Sequence, residues 1–134
     1  MADYSTRRLS DKLGLKPGLR SAIVRMPEAV KAELIRSTDI QPITRVSGVP
    51  FDFILVFITS REQLEAVLPN TVSHLKSSGL LWLAWAKRTS ALHAGIDENL
   101  IRASGLAAGL VDVKVAALTD DWSGLKFVYR TKDR

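Results

Sequence analysis

The chain predicts an α/β domain, an open sheet with helices on both faces, and three observations support that reading. "FDFILVFIT" (51–59) and "LLWLAWA" (80–86) are unbroken apolar runs rich in branched and aromatic residues, the signature of strands covered on both faces. Segments with apolar residues at helical spacing lie between the strand-like runs, so strands and helices alternate. At the carboxyl end two strand-like segments are separated by a turn too short for a crossover, and they pair as an antiparallel hairpin.

Taken in order, Ser5 caps a short helix through Leu13, and "GLKPG" makes a turn. "RSAIVRM" (20–26) is the first strand. Pro27 at the first helical position and apolar Ala29, Val30, Ala32, Leu34 and Ile35 then give a helix to Arg36. "IQPITRV" (40–46) reads as a second strand, placed at a sheet edge because Pro42 cannot donate to a ladder. After "FDFILVFIT", Ser60 and Gln63 have capping-box spacing ahead of Leu64, Val67, Leu68, Val72 and Leu75. Pro69 is expected to divide this segment into two short helices, and Gly79 to end it. Asp97 caps a helix through Ala108, with Gly109 at its C-terminus. "VDVKVAAL" (111–118), the turn "TDDWSG" (119–124) and "LKFVYR" (125–130) complete a Rossmann-like pattern without repeats or low-complexity segments.

The length of 134 residues fits one domain spanning 1–134, with 46% hydrophobic and 25% charged residues, an ordinary globular composition. Cysteine is absent, which excludes disulfide frameworks, thiolate zinc sites and thiol catalysis and suits a reducing cytoplasm. No stretch approaches the roughly 18 apolar residues of a membrane span, so a soluble, cytoplasmic protein is expected. The net charge is +5 and the pI about 9.8. By thirds, residues 1–50, 51–100 and 101–134 carry nine basic against five acidic, four against five, and six against four. Basic residues are thus interspersed with acidic ones rather than gathered on one element, and the sequence offers nucleic acid only weak backbone attraction.

"LGLKPGLRSAIV", "FDFILVFITS", "LPNTVSHLKSSGLLWLAWAKR" and "ASGLAAGLVDVKV" together resemble parts of a class I methyltransferase domain. The resemblance implies about six strands in the order 2-1-3-4-6-5, the last antiparallel, in three layers. The chain is short for that family, and one strand and one helix are missing between "TRV" and "FDF". Nearly the whole chain also resembles a bacterial domain family of unknown function, at "LGLKPG", "FDFILVF", "GLAAGLVDVKV" and above all the hairpin "DDWSGLKFVYR". That likeness implies a shortened methyltransferase-like fold and supplies no activity, catalytic residue or cofactor.

The bend "RMPE" (25–28) bears on the cofactor. Nucleotide-binding units place glycines after the first strand, so that bare amides at the helix start face the ligand's charge. Here Pro27 has no amide hydrogen and its ring fills space, while Glu28 favours the helix dipole and repels an anion. Methyltransferases also usually hold the ribose with an acidic residue after the second strand, where this chain has Ser47 and Gly48. No cofactor and no catalytic residue are therefore assigned.

In an open parallel sheet the ligand crevice lies beyond the carboxyl ends of the strands. Lys87, Arg88 and Ser90 reach that edge and form either a small anion site or a solvated loop. Trp122 beside Ser123 is either a stacking surface with a hydroxyl or a plug of the hairpin onto the core, and Lys126 starts the returning strand toward the same place. His74 and His93 have no partner histidine at ligand spacing, so no metal site is expected. Asp97 and Glu98 read as a helix cap, Trp82 and Trp85 pack on opposite sheet faces, and Asp52 and Arg102 are surface residues. The sequence thus favours a non-catalytic binding or interaction module with a protein or small-anion partner. The alternatives are an enzyme or binder of an anionic, S-adenosylmethionine-related ligand at the crevice, and weak nucleic-acid association.

Overall fold

A computed structural model describes residues 8–134. Its elements run α1 (Leu9–Leu13), β1 (Ser21–Val24), α2 (Glu28–Ser37), β2 (Phe51–Ile58), α3 (Arg61–Ser73), β3 (Leu75–Ala86), α4 (Glu98–Ala107), β4 (Leu110–Ala117) and β5 (Trp122–Tyr129). The expected Ser5 cap lies outside the described residues. One mixed sheet is ordered β1-β2-β3-β5-β4, with β1, β2 and β3 parallel and β5 antiparallel to both neighbours.

Two apolar layers sandwich that sheet. On one face Ile23, Phe53, Leu55, Phe57, Trp82 and Trp122 pack against Leu9, Leu13, Val30 and Leu34 of α1 and α2. On the other, Ile54, Val56, Leu81, Leu83, Trp85 and Phe127 meet Leu64, Leu68 and Ile101 of α3 and α4. The alternation of strand side chains puts Trp82 and Trp85 in different layers. The indole N–H of Trp82 donates to the Leu13 carbonyl at 2.8 Å, fastening α1 to the sheet. Contact between α4 and β5 is close, since a methyl group at Gly105 would fall 2.1 Å from the Phe127 ring.

The structure corrects the expected strands. Among the described residues there are five, not six, and the order 2-1-3-4-6-5 gives way to β1-β2-β3-β5-β4. "IQPITRV" contributes one bridge, Ile43 beside Ala22. Its two hydrogen bonds run from Ile43 N–H to Ser21 O and from Ile23 N–H to Ile43 O. Pro42 has no N–H, and the chain from Ile43 onward is largely exposed, so the ladder stops there. At its start β3 is longer than "LLWLAWA", and its register with β2 is irregular between Phe51↔Leu75 and Phe53↔Leu80. Gly79 lies in that irregular stretch, within β3 and not at a helix end.

Nor does Pro69 divide α3, which runs unbroken to Ser73. Glu65 and Pro69 are both exposed, so the carbonyl that the proline cannot satisfy faces water. The last turn is secured by side chains, with Thr71 Oγ1 donating to Val67 O at 2.9 Å and Ser73 Oγ to Asn70 O at 2.9 Å. At the start of α3 the Ser60 hydroxyl accepts from Gln63 N–H at 3.0 Å, while the Gln63 side chain accepts from Thr59 N–H at 2.7 Å. Asp97 caps α4 through Leu100 N–H at 2.9 Å, and Gly109 follows with φ 96°.

Candidate functional site

Three of the expected site residues come together at the carboxyl end of β3. Lys87, Arg88 and Ser123 line an open cleft of about 410 Å³ with Trp85, His93 and Asn99. Register places Ser123 directly across from Trp85, so both side chains point to the α3–α4 face. Ile96 adds to the apolar floor, and Asp97 and Glu98 form the wall at the head of α4.

The loop leaving β3 is held by the hairpin. Lys87 N–H donates to Asp121 O at 2.8 Å, and the Ser90 hydroxyl donates to Asp121 Oδ1 at 2.8 Å. That hydroxyl also accepts from Leu92 N–H at 3.0 Å. Ser90 is thus a strut of the loop and does not line the cleft. His93 Nδ1 lies 3.3 Å from the Ala86 carbonyl. A carbonyl can only accept, so this contact puts the proton on Nδ1 and leaves Nε2 outside it.

Charge in the cleft is unevenly matched. The Asp97 carboxylate accepts a cap hydrogen bond, and Glu98 pairs with Arg102 at 2.6 Å. Lys87, half-buried, and Arg88, exposed, have no ion pair among the described residues. Two cations without an ion pair thus stand beside one acid, Asp97, that has a cap hydrogen bond and no ion pair, and one, Glu98, that is paired.

Two expected site residues lie elsewhere. β5 begins at Trp122, not at Leu125, so Trp122 is a strand residue on the α1–α2 face and not part of a turn. It is 5% exposed, and its ring meets Phe57 edge-on at 5.1 Å. The packing reading describes it, and no stacking surface is presented to solvent. Lys126 lies opposite Trp82 and Lys114, an even number of residues along the strand from Trp122. It therefore shares that same face and cannot reach the cleft.

At the end of β1 the structure adds what the sequence could not show. Arg25 has φ 61°, the only positive φ of a non-glycine residue among those described. Pro27 is the cap of α2 and not its first helical residue, so the helical amides of Glu28, Ala29 and Val30 remain, without a side-chain cap. The case against an anion at that helix start therefore rests on the Glu28 carboxylate and the proline ring, not on a missing helical amide. Ser47 holds its segment through its carbonyl, which accepts from Arg20, the residue before β1, at 3.3 Å.

Sequence reasoning also missed two ion-pair networks. Asp52 accepts Arg20 N–H at 2.8 Å and pairs with Lys76 at 3.0 Å. The Arg20 hydrogen bond and then Lys76 hold its pKa below the usual carboxylate value. Arg102 bridges Glu98 and Asp112, the latter at 3.0 Å; Glu98 first and Asp112 next raise its pKa, and the same contact lowers that of Asp112. The links Asp52–Lys76 and Arg102–Asp112 join different elements and leave no spacing signal, whereas Glu98 and Arg102 stand four apart on α4. Among the described residues no group of three or more His, Cys, Asp or Glu could hold a metal, and no helix is long and apolar enough to cross a membrane.

Among solved structures the chain is similar to a SAM-dependent methyltransferase from Aquifex aeolicus, with 15% identity over 87% of this chain and 85% of that one and a TM-score of 0.60. A ribosomal protein L11 methylase from Lactobacillus delbrueckii subsp. bulgaricus gives 17% identity, 97% and 81% coverage, and 0.58. A TehB-like SAM-dependent methyltransferase from Corynebacterium glutamicum gives 11%, 92% and 86%, and 0.56. Likeness at these identities shows the fold, Rossmann-like and methyltransferase-like, and the fold alone. No family model and no curated protein matches the chain, so the narrower likeness at "DDWSGLKFVYR" gains no support.

Proposed function

We propose that this chain is a non-catalytic binding module built on a methyltransferase-like fold, with the cleft at Lys87, Arg88 and Ser123 as its binding surface. The observation that supports it is the end of β1. Arg25, Met26, Pro27 and Glu28 stand where a cofactor-binding unit needs a glycine turn, and a carboxylate heads the following helix. The cleft offers an apolar floor of Trp85 and Ile96 under a polar rim, which suits a small ligand or a side chain of a partner protein. We place the protein in the cytoplasm, away from membranes and nucleic acid. The "DDWSGLKFVYR" hairpin, which resembles that of a bacterial family of unknown function, supplies Ser123 to this surface and, through Asp121, the hold on its loop.

A second reading is favoured by the unpaired Lys87 and Arg88: an enzyme or binder acting on a small anion in the same cleft, S-adenosylmethionine-related compounds included. Thermal melting with millimolar S-adenosylmethionine or S-adenosylhomocysteine separates the two, because a ligand specific to the folded state raises the melting temperature by mass action. The module reading expects no shift. A saturable rise with either compound would replace it with the second.

A further inference from the structure

We propose a second ligand site on the flank of β1, distinct from the cleft at the end of β3, for an oxyanion of the phosphate class gripped between Arg25 and Arg45. An open cleft of about 630 Å³ lies there, and Arg25, Thr44, Arg45, Ser47 and Asn70 supply its polar groups. Two arginines, two hydroxyl residues and one amide residue line it with no carboxylate among them, and it shares Arg25 and Thr44 with a neighbouring cleft that Glu28 and Lys31 also line. Its apolar wall is Val24, Val46 and Val67, which belong to the α3–α4 face of the sheet. Glu28 is not among the residues of this cleft; it lines the adjoining one, on the α1–α2 side, which Arg25 and Thr44 also border.

The bridge brings together the two segments that carry these cations. Ile43 pairs with Ala22 in parallel, so two residues on from each lie Arg45 and Val24, with Arg25 next. Neither guanidinium has an ion pair or hydrogen bond among the described residues. The segment that presents Arg45 is fastened from both sides. Asn70 Nδ2 donates to Val46 O at 3.1 Å, and Arg20 donates to Ser47 O at 3.3 Å and Val49 O at 3.2 Å.

The backbone of Arg25 is the independent second observation. Glycine takes a left-handed φ without cost, whereas any other side chain is strained there. Arginine at this position, with its side chain lining a basic cleft, is what a ligand clamp requires. Two planar forks with hydroxyls beside them satisfy a tetrahedral oxyanion with several oxygens better than a carboxylate, which has two. The cleft is larger than a bare phosphate, which leaves room for the organic remainder of a phosphate ester.

The test is thermal melting of the full chain in sodium pyrophosphate and in sodium phosphate, against sodium chloride at equal ionic strength. Phosphate-type salts raise melting temperatures generally by exclusion from protein surfaces, so the variants carry the decision. The wild type is expected to show a saturable rise at millimolar pyrophosphate, and Arg25→Gly and Arg45→Gln are each expected to lose the saturable part. Lys87→Ala is expected to keep it, which separates this site from the cleft of the proposed function. Superimposable curves for the wild type and both arginine variants would overturn the proposal. So would the absence of any saturable rise in the wild type, or its loss in Lys87→Ala alone.

Discussion

The ends of β1 and β3 are held in opposite ways. Behind β3, hydrogen bonds tie Lys87, Ser90 and His93 to the hairpin turn and to the strand itself, so the loop has one shape before anything binds. Behind β1, the chain turns through a strained arginine whose guanidinium has no hydrogen bond or ion pair among the described residues. The first end presents shape, with an indole floor and mixed charge whose acids are already engaged. The second presents charge without a counterpart.

The largest effect that sharpens this contrast is expected at Trp122. If the hairpin end is rigid because Trp122 plugs it against Phe57 and Leu118, Trp122→Ala loses about 3–5 kcal/mol. That is a large share of the roughly 5–15 kcal/mol total of a domain this size. Denaturant unfolding reads it as a lower midpoint, and Trp122→Phe should recover much of the loss. A Trp122→Ala protein as stable as the wild type would return the residue to the role of a ligand platform.

How far the sequence reveals these features follows from what each depends on. Apolar runs in "FDFILVFIT" and "LLWLAWA" report burial on two faces, and the structure has both as central strands. Asp97 and Ser60 were readable as caps because a cap is a local bond between residues three apart. Failures come where a distant element decides. Whether "IQPITRV" becomes a strand depends on neighbours that this short chain lacks, and one bridge is all that forms. Trp122 looked like a turn residue because "DDWSG" has turn composition, but pairing with Ala86 draws it into β5. Lys126 was misplaced by the same displaced strand start. That Lys87, Arg88 and Ser123 lie near one another was legible because strand ends in an open sheet share an edge. Arg45 and the φ of Arg25 leave no trace in residue type, so the basic flank was invisible.

A middling effect is expected at Ser90, whose hydroxyl both donates to Asp121 and accepts from Leu92. Ser90→Ala should cost about 1 kcal/mol, the net worth of an ordinary hydrogen bond. Its more telling signature is local: the amide of Leu92 should exchange faster with solvent, while amides of β2 keep their protection. Unchanged exchange at Leu92 would mean the loop is not held by this strut, and the contrast between the two strand ends would collapse.

The smallest effect has the opposite sign. Arg25→Gly relieves a left-handed backbone that costs an L-residue roughly 1–2 kcal/mol, and gives back part of that through the greater freedom of glycine in the unfolded chain. The net expectation is a protein as stable as the wild type or more stable by up to about 1 kcal/mol. Chemical unfolding in chloride buffer measures it with no ligand present. A clear loss of stability would show that the Arg25 side chain is itself structural, holding the bend by packing, and the two strand ends would then be alike. A gain marks Arg25 as a residue retained against its own backbone preference, which is the physical mark of a side chain selected for something outside the fold.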